Sequence, residues 1–458
     1  TPPDVNGEAA AFMTMNRNKK GFALDLKSNE GKEVFKKMVK KADVIVENFR
    51  KGTLEKLGIG YEELKKINPK IILCEISGYG RTGPYADKGG FDLVAQGMTG
   101  FMSITGESSN KPPMKVGAPI TDITAGILGA TGVLAALIHR DKTGEGQRVD
   151  TSLYEAGIIH TYWQSAITSA TGKSPGPLGS AHPLTAPYQA FKTKDKWITV
   201  GASNQNNWIH LLEALGRKDL QEDKRFSNNA NRMKNLQALI DILNKEMIKK
   251  NSKEWLTIFD QKGLPCGPIN TIEEMFADSH TKHREMIIEV KNTKAGTFKS
   301  IGMPIKFSKS KTDKSKGAPI FGEHTIEVLI DYGFNKAEID NLIKNGQIDK
   351  KDISKAKKIV KDGKDKITLV ERGYRTVASM QAKYFLKLPD KQFAALEKQV
   401  ANDPETKRRY TTYATIVKNV ASGNGGNDAK SVAIAEEVSG VKRKKSKEEL
   451  KRYKNSNI

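Results

Sequence analysis

The chain has 458 residues, a length that predicts two or three domains. It holds 76 Lys or Arg against 53 Asp or Glu, which gives a formal net charge of +23 at pH 7. Its only two cysteines, Cys74 and Cys266, exclude a disulfide framework and a cysteine-rich zinc site. This cysteine usage indicates a reducing, cytoplasmic setting.

The first part of the chain alternates between short strand patterns and helical patterns. Residues 1–8 carry no basic region or apolar run, so no signal peptide is predicted. The pattern predicts a strand at 24–27, an amphipathic helix over 28–43, strands at 44–46 and 71–76, and helical turns over 52–58 and 61–67. Strands that alternate with helices indicate an α/β fold with a mostly parallel, doubly wound sheet.

A glycine-rich segment follows the third predicted strand. Gly78-Tyr-Gly-Arg-Thr-Gly83 has the spacing of a dinucleotide-binding fingerprint. That fingerprint requires a helix N-terminus after its glycines to hold the pyrophosphate. Residues 84–90 continue the loop instead, so the sequence disfavours a nicotinamide or flavin site and indicates a glycine loop near a substrate.

A carboxylate precedes the most apolar run of the chain. Asp122 leads into residues 123–138, and we expect a helix from Asp122 to about His139. Asp is a favoured N-cap residue, so Asp122 either caps this helix or performs chemistry at its start. The run is shorter than a membrane span and glycines interrupt it, which predicts a buried helix and no transmembrane segment.

The pattern changes in the second part of the chain. The pattern predicts a strand at 148–153 and then an apolar helix through His160. We interpret Asp150, within this strand, as structural. A Gly/Pro/Ser-rich linker or lid follows at 172–187. Alternating runs at 188–192 and 197–202 then predict a hairpin. Helices are expected at about 205–215, 230–249 and 252–262, and two more after a short loop within 319–346.

These changes divide the chain into four parts. We expect a large Rossmann-like domain over 1–187, a smaller α+β domain over 188–300, and a return segment over 301–348 that packs on the large domain. Residues 349–458 form a basic, mainly helical extension, because residues 350–458 hold 27 Lys or Arg against 13 Asp or Glu.

Basic residues cluster around the first two strand ends, where they either clamp phosphates or form a solvated basic face: Lys19, Lys20, Lys27, Arg50, Lys51 and Lys56. The seven histidines are scattered without metal-ligand spacing, so no metal site is predicted. No Gly-x-Ser-x-Gly elbow supports a serine hydrolase.

From about Val5 to Ile348 the chain resembles the class III CoA-transferases, the formyl-CoA transferase and carnitine dehydratase-like family. The resemblance is carried by a series of short segments in the family's order: Asn16–Lys20, Leu24–Lys27, Asp43–Phe49, Gly58–Glu62, Gly78–Tyr85, Phe91–Gln96, Thr143–Gln147, Leu264–Asn270 and Gly322–Thr325. Each segment is weak alone, but so many in one order are specific.

The resemblance implies that CoA passes from an acyl-CoA thioester to a free carboxylic acid. Asp122 would be the nucleophile, forming first an aspartyl anhydride and then an aspartyl-CoA thioester. No tightly bound cofactor is implied, because CoA and acyl-CoA are substrates. Members of the family form interlocked homodimers, so we expect one here.

The same resemblance assigns further site residues. It places the CoA site at Leu24, Lys27, Asn48, Phe49, Lys56 and Lys88. Asp92 matches an acidic active-site residue that supports catalysis. Residues 181–188 resemble a segment of members that act on dicarboxylates such as succinate and glutarate, where His182 either orients a substrate carboxylate or is a turn histidine.

Two alternatives stay open at this stage. The α-methylacyl-CoA racemases share the fold and pair the matching Asp with a His at the position of Phe91; Phe cannot exchange a proton, which disfavours that reaction. The family also starts with a further strand–helix unit that this sequence lacks, so we expect an N-terminally truncated domain.

In the second alternative, the chain is an inactive remnant whose basic tail binds nucleic acid or an acidic partner, although lysine runs are usually solvated surface.

Overall fold

The computed structural model describes residues 3–310, 312 and 316–348. The chain divides into two units, residues 1–348 and 349–458, and all of the described residues belong to the first unit. The predicted basic extension, 349–458, lies outside the described residues, so its helical character and any nucleic-acid or acidic partner stay predictions.

The helices and strands of the first unit are bounded as follows. The strands are β1 (Asp4–Val5), β2 (Glu8–Ala9), β3 (Val44–Glu47), β4 (Ile72–Ser77), β5 (Arg148–Ser152), β6 (Tyr188–Lys192), β7 (Trp197–Gly201), β8 (Cys266–Pro268), β9 (Ile287–Asn292) and β10 (Gly296–Ile301). The α-helices are α1 (Ala10–Met15), α2 (Asn29–Val39), α3 (Thr53–Lys56), α4 (Tyr61–Ile67), α5 (Asp92–Met98), α6 (Ile120–Thr143), α7 (Leu153–Ile159), α8 (Tyr162–Thr171), α9 (Gln205–Leu215), α10 (Asp219–Glu222), α11 (Asn229–Lys234), α12 (Leu236–Met247), α13 (Ser252–Gln261), α14 (Ile272–Ala277), α15 (Ser279–His283), α16 (Thr325–Asp331) and α17 (Lys336–Lys344).

A parallel three-stranded sheet in the order β3-β4-β5 organises the first half of the chain. One face packs against α6, where a Cβ on Gly132 would lie 2.5 Å from Val149 Cγ1, so only glycine allows this close approach. The opposite face packs against an apolar cluster that includes Leu54, Leu64 and Leu73. Helices on both faces of a parallel sheet confirm the predicted α/β class.

Helix α6 differs from its prediction at both ends. It begins at Ile120 and ends at Thr143, where Gly144 adopts a left-handed conformation, so the predicted limits of Asp122 and His139 are wrong. The N-cap is Pro119, and Asp122 lies inside the first turn, which excludes the N-cap role for Asp122. At 24 residues, α6 is long and apolar enough to cross a membrane by length and composition, so the sequence argument from length fails. Its glycine face nevertheless packs on the sheet.

The segment from Leu24 to Lys27 is not a strand, contrary to the prediction. Backbone amides just before it bond to side chains of the 322–325 turn: Gly21 N–H donates to His324 Nδ1 at 3.1 Å, and Ala23 N–H donates to Thr325 Oγ1 at 3.0 Å. These side-chain acceptors take the place of a neighbouring strand.

A second, antiparallel sheet with the order β6-β7-β8 follows, and it confirms the predicted hairpin. Its core contains the fully buried side chains of Phe191, Ile198, Trp208 and Phe259. The helix predicted over 230–249 is two helices, α11 and α12, which meet at Asn235. The proposed limits of the small α+β domain stay predictions.

The two helices predicted within 319–346 are present as α16 and α17. They pack against α2 through a cluster that contains Val34, Leu329 and Ile339. An ion pair of 2.6 Å between Lys37 Nζ and Glu338 Oε1 joins α2 to α17. The end of this unit therefore packs on its first helical layer.

Candidate active site

Asp122 lies in the first turn of α6, on a solvent-exposed part of the single chain. The first backbone N–H groups of a helix have no partner within the helix and give this end a partial positive charge. That charge favours an anion here. Protein atoms around the carboxyl group nevertheless remove part of its hydration and raise the pKa of Asp122, and the negative charge of Asp92 raises this pKa further.

Asp92 connects the start of α5 to the start of α6. Its Oδ1 accepts hydrogen bonds from Thr121 N at 3.0 Å and from Thr121 Oγ1 at 2.8 Å. Its Oδ2 accepts a hydrogen bond from Gln96 Nε2 at 2.7 Å. The structure thus brings Asp92 beside Asp122 through Thr121. Sequence reasoning missed Thr121 and Gln96. The only sign of them in the sequence is a hydrogen-bonding side chain near the start of a helix.

The inner face of α6 holds another pair that the sequence did not reveal. Thr124 Oγ1 lies 2.8 Å from Nε2 of His160, and the His160 ring stacks on Phe101 with centroids 5.5 Å apart. These contacts join α6 to the end of α7. Phe91, at the position where we expect a racemase to carry His, is 78 % exposed and directly precedes α5.

The residues assigned to the CoA site fall on three neighbouring segments. Asn48 and Phe49 follow β3, and Lys56 ends α3. Leu26, between Leu24 and Lys27, packs against the same apolar cluster as α3, so these two segments lie together. Lys88 lies on the glycine loop before α5, with its Nζ 4.1 Å from the ring centroid of Tyr85.

A charge network, which the sequence did not reveal, holds these loops, and its central residues Glu47, Glu75 and Arg81 are buried. Glu47, Glu75 and Asp150 stand side by side on β3, β4 and β5 because the register pairs them. Arg81, which is 8 % exposed, forms ion pairs with Glu47 and with Glu75, and its backbone N–H donates to Asp150 Oδ2 at 3.0 Å. Arg148 completes the network with a 2.7 Å ion pair to Glu75.

This network fixes the turn that carries two assigned CoA residues. Glu47 Oε2 accepts a hydrogen bond from Phe49 N at 2.6 Å, while Arg81 belongs to the glycine loop. Burial raises the pKa of Glu75 and lowers the pKa of Arg81. The network borders a cavity of about 450 Å³, which is lined by Lys51, Gly52, Glu55, Glu75, Arg81, Thr82, Arg148 and Asp150.

The glycine loop behaves as the sequence predicts, because residues 84–90 do not open a helix. Gly78 and Gly90 meet where the loop closes, and a Cβ on Gly78 would lie 2.7 Å from the Gly90 Cα.

The cluster of basic residues near the first two strand ends is only partly available to a ligand. Lys20 pairs with Asp331 at 2.6 Å and with Glu327 at 3.0 Å, so its ammonium is already neutralised.

His182 lies in an aromatic surface between α8 and β6. Its ring makes edge contacts with Trp163 and Tyr188, at centroid distances of 5.8 and 5.4 Å. Its Nδ1 accepts a hydrogen bond from Leu184 N at 3.1 Å. Within residues 3–310, 312 and 316–348, no three His, Cys, Asp or Glu side chains come close enough to hold a metal ion.

Comparisons with known proteins show similarity to one family of enzymes. The family described as CoA-transferase family III matches residues 1–325. The chain is 36% identical to the succinate–glutarate CoA-transferase of Agrobacterium fabrum over 71% of this chain and 81% of that protein. It is 33% identical to the succinyl-CoA:glutarate CoA-transferase of Mus musculus, covering 76% of this chain and 80% of that protein. The crystal structure of a CAIB/BAIF family protein from Brucella suis superposes with a TM-score of 0.64 at 36% identity, covering 72% of this chain and 87% of that chain.

Proposed function

Because this chain belongs to CoA-transferase family III, we propose that it moves CoA from a dicarboxylic acyl-CoA to a free dicarboxylate. That it is a CoA-transferase follows from its family and its named relatives. The dicarboxylate class rests on one observation: relatives named for succinate and glutarate match more than 70% of the chain at 33% and 36% identity.

We propose that Asp122 is the nucleophile. Its carboxylate oxygen attacks the thioester carbonyl carbon, the C–S bond breaks, and CoA leaves as a thiolate, so that the acyl group and Asp122 are joined in a mixed anhydride. The thiolate then attacks the Asp122 carbonyl carbon, which releases the first acid and forms an aspartyl-CoA thioester. An acceptor carboxylate repeats the two steps in reverse, so no net proton or electron is transferred. The position of Asp122 in the first turn of α6 supports this role.

The assigned CoA residues suit the chemistry of the ligand. Lys27, Lys56 and Lys88 are exposed ammonium groups that can pair with phosphates, and the half-exposed ring of Phe49 offers a stacking surface. Asn48 and Leu24 would complete the site with an amide and an apolar contact. CoA enters and leaves as a substrate in this scheme, and the reaction needs no resident cofactor.

We propose that His182 orients the far carboxylate of a dicarboxylic substrate. Because Nδ1 already accepts the Leu184 N–H, the proton of the neutral ring lies on Nε2, where it can be donated to a carboxylate. Replacing His182 with Phe, which keeps a ring but has no N–H to donate, should then reduce the preference for dicarboxylates over monocarboxylates. An unchanged preference would leave His182 as a turn histidine.

We also propose that a second copy of the chain covers the outer face of α6, as in the interlocked dimers of the family. This face exposes Ile127, Leu134 and Ile138, each by at least 60 %. A contiguous apolar surface of this kind marks an interaction site on a soluble protein.

We propose a cytoplasmic location for the protein, because Cys74 and Cys266 are free thiols, and cell fractionation would test it.

The substrate class can be tested with matched acceptors. The protein is incubated with succinyl-CoA and either glutarate or valerate, which has the same chain length and a single carboxylate, and the CoA esters are measured by mass spectrometry. We expect glutaryl-CoA to form faster than valeryl-CoA by on the order of 10- to 100-fold, the effect of one lost charge-assisted hydrogen bond. Equal transfer to valerate, or no transfer to glutarate, would contradict the proposed substrate class.

A further inference from the structure

We propose that Asp92, Gln96 and Thr121 form a clamp between α5 and α6 that holds Asp122 in its reactive position. Asp92 is then a positioning residue and not a group that reacts with the substrate. The inference rests on the proposed function, because it is there that Asp122 becomes the reacting group.

The start of α6 needs such a clamp because it has no cap of its own. Pro119 occupies the N-cap and makes no side-chain hydrogen bond to the helix. Asp92, which is 29 residues earlier on another helix, accepts both the backbone N–H and the hydroxyl of Thr121. An acceptor from α5 thus replaces the missing cap and fixes the residue directly before Asp122.

Gln96 holds the other side of Asp92. Its amide nitrogen donates to Asp92 Oδ2 at 2.7 Å, and its amide oxygen accepts from Val116 N at 2.9 Å. Gln96 and Thr121 are fully buried, so water cannot replace these bonds. A carboxylate at position 96 could keep the bond to Val116, but it could not donate to Asp92.

The clamp also controls the charge beside Asp122. Three hydrogen-bond donors, from Thr121 N, Thr121 Oγ1 and Gln96 Nε2, hold the two carboxylate oxygens of Asp92 in place beside Asp122. The negative charge of Asp92 opposes the ionisation of Asp122 and thus adds to the increase in pKa caused by partial loss of hydration. The clamp therefore affects both the position and the basicity of the nucleophile.

The variants that test the clamp are Gln96→Glu, Asp92→Asn and Thr121→Val, with Thr121→Ser as the conservative rescue. A misplacement of about 1 Å can cost about 100-fold in rate, so we expect Gln96→Glu and Asp92→Asn to lower kcat by roughly 10- to 100-fold with little change in the KM for succinyl-CoA. Thr121→Ser should recover most of the rate that Thr121→Val loses. Asp92→Asn should also move the acidic limb of the kcat/KM profile to lower pH.

A matched control is Thr257→Val, which removes an exposed hydroxyl that bonds within its own helix, to Lys253 O at 2.9 Å. We expect this variant to keep wild-type kinetics. Circular dichroism and thermal unfolding establish that each variant is folded; if Gln96→Glu does not fold, Thr121→Val and Thr121→Ser decide. Wild-type kcat and pH profile in Asp92→Asn and Thr121→Val would overturn the clamp, as would a change confined to KM.

Trapping of the intermediate separates this inference from the proposed function. With succinyl-CoA and hydroxylamine, the wild-type protein should yield a hydroxamate at Asp122, and the clamp variants should yield it more slowly. No hydroxamate in the wild type would reject Asp122 as the nucleophile. Equal trapping rates in the wild type and the clamp variants would reject the clamp alone.

Discussion

At the scale of single residues, Asp122 experiences two opposing influences. The helix start favours its negative charge, whereas partial loss of hydration and the charge of Asp92 disfavour it and raise its pKa. A more basic carboxylate is a stronger nucleophile, provided that it is still ionised at the working pH. The location of Asp122 therefore makes its carboxylate more basic than that of an ordinary Asp.

This balance predicts how activity depends on pH. Only the ionised form of Asp122 attacks, and its pKa is raised, so kcat/KM for succinyl-CoA should fall on acidification at a pH above the ordinary Asp value of about 3.9. Initial rates between neutral and acidic pH measure the midpoint, and preincubation at each pH controls for unfolding. A midpoint at or below the ordinary value would contradict the prediction.

Arg81 gives a second prediction at this scale. Replacing Arg81 with Met leaves Glu47 and Glu75 buried without their shared cation, which should lower the free energy of unfolding by about 3–5 kcal/mol. Because the Glu47 carboxylate also holds the Phe49 backbone, the KM for acyl-CoA should rise. Urea unfolding and steady-state kinetics measure the two effects.

The control for Arg81 is an exposed ion pair in the same protein. Lys262 Nζ lies 3.0 Å from Glu213 Oε2 at the surface, where water screens the pair, so Lys262→Met should lower the free energy of unfolding far less than Arg81→Met. Similar losses of stability in the two variants would show that the buried network contributes no more than a surface pair.

At the scale of elements, the packing of α6 on the sheet depends on glycine. In Gly132→Ala the new Cβ would meet Val149 Cγ1 at 2.5 Å, and this overpacking should destabilise the fold by about 1–3 kcal/mol. Val149→Ala removes the obstructing methyl groups, so it should cost less in the Gly132→Ala background than in the wild type. Urea unfolding of the four proteins gives this coupling energy, and additive effects would contradict the proposed contact.

Local patterns predicted several elements well. The β6–β7 hairpin follows from alternation over ten residues, and α16 and α17 follow from helical periodicity next to clear breaks. The absence of a helix after Gly83 also follows from local residues, because Pro84 and the following glycines do not favour one.

The elements that sequence reasoning missed depend on partners far along the chain. Residues 24–27 have a strand-like pattern, but the preceding amides bond to His324 and Thr325, some 300 residues away. The start of α6 could not be found because its cap comes from Asp92. The buried network likewise needs the register of three strands, which brings Glu47, Glu75 and Asp150 together.

At the scale of the whole molecule, we expect the chain to dimerise through the outer face of α6. Light scattering should give twice the chain mass, and Leu134→Glu, which places a charge in the 62 % exposed apolar face, should shift the protein towards the monomer. Gln237→Glu on the surface of α12 is the matched control and should leave the mass unchanged. A wild-type monomer at every concentration would contradict this expectation.

In the proposed reaction, Asp122 carries first the acyl group and then CoA. The most direct measurement is peptide mass spectrometry after the protein is mixed with succinyl-CoA and trapped with hydroxylamine, with Asp122→Asn and an incubation without thioester as controls. The proposed mechanism predicts a hydroxamate at Asp122 that depends on the thioester and is absent from Asp122→Asn. An unmodified Asp122 in a protein that still exchanges CoA would contradict it.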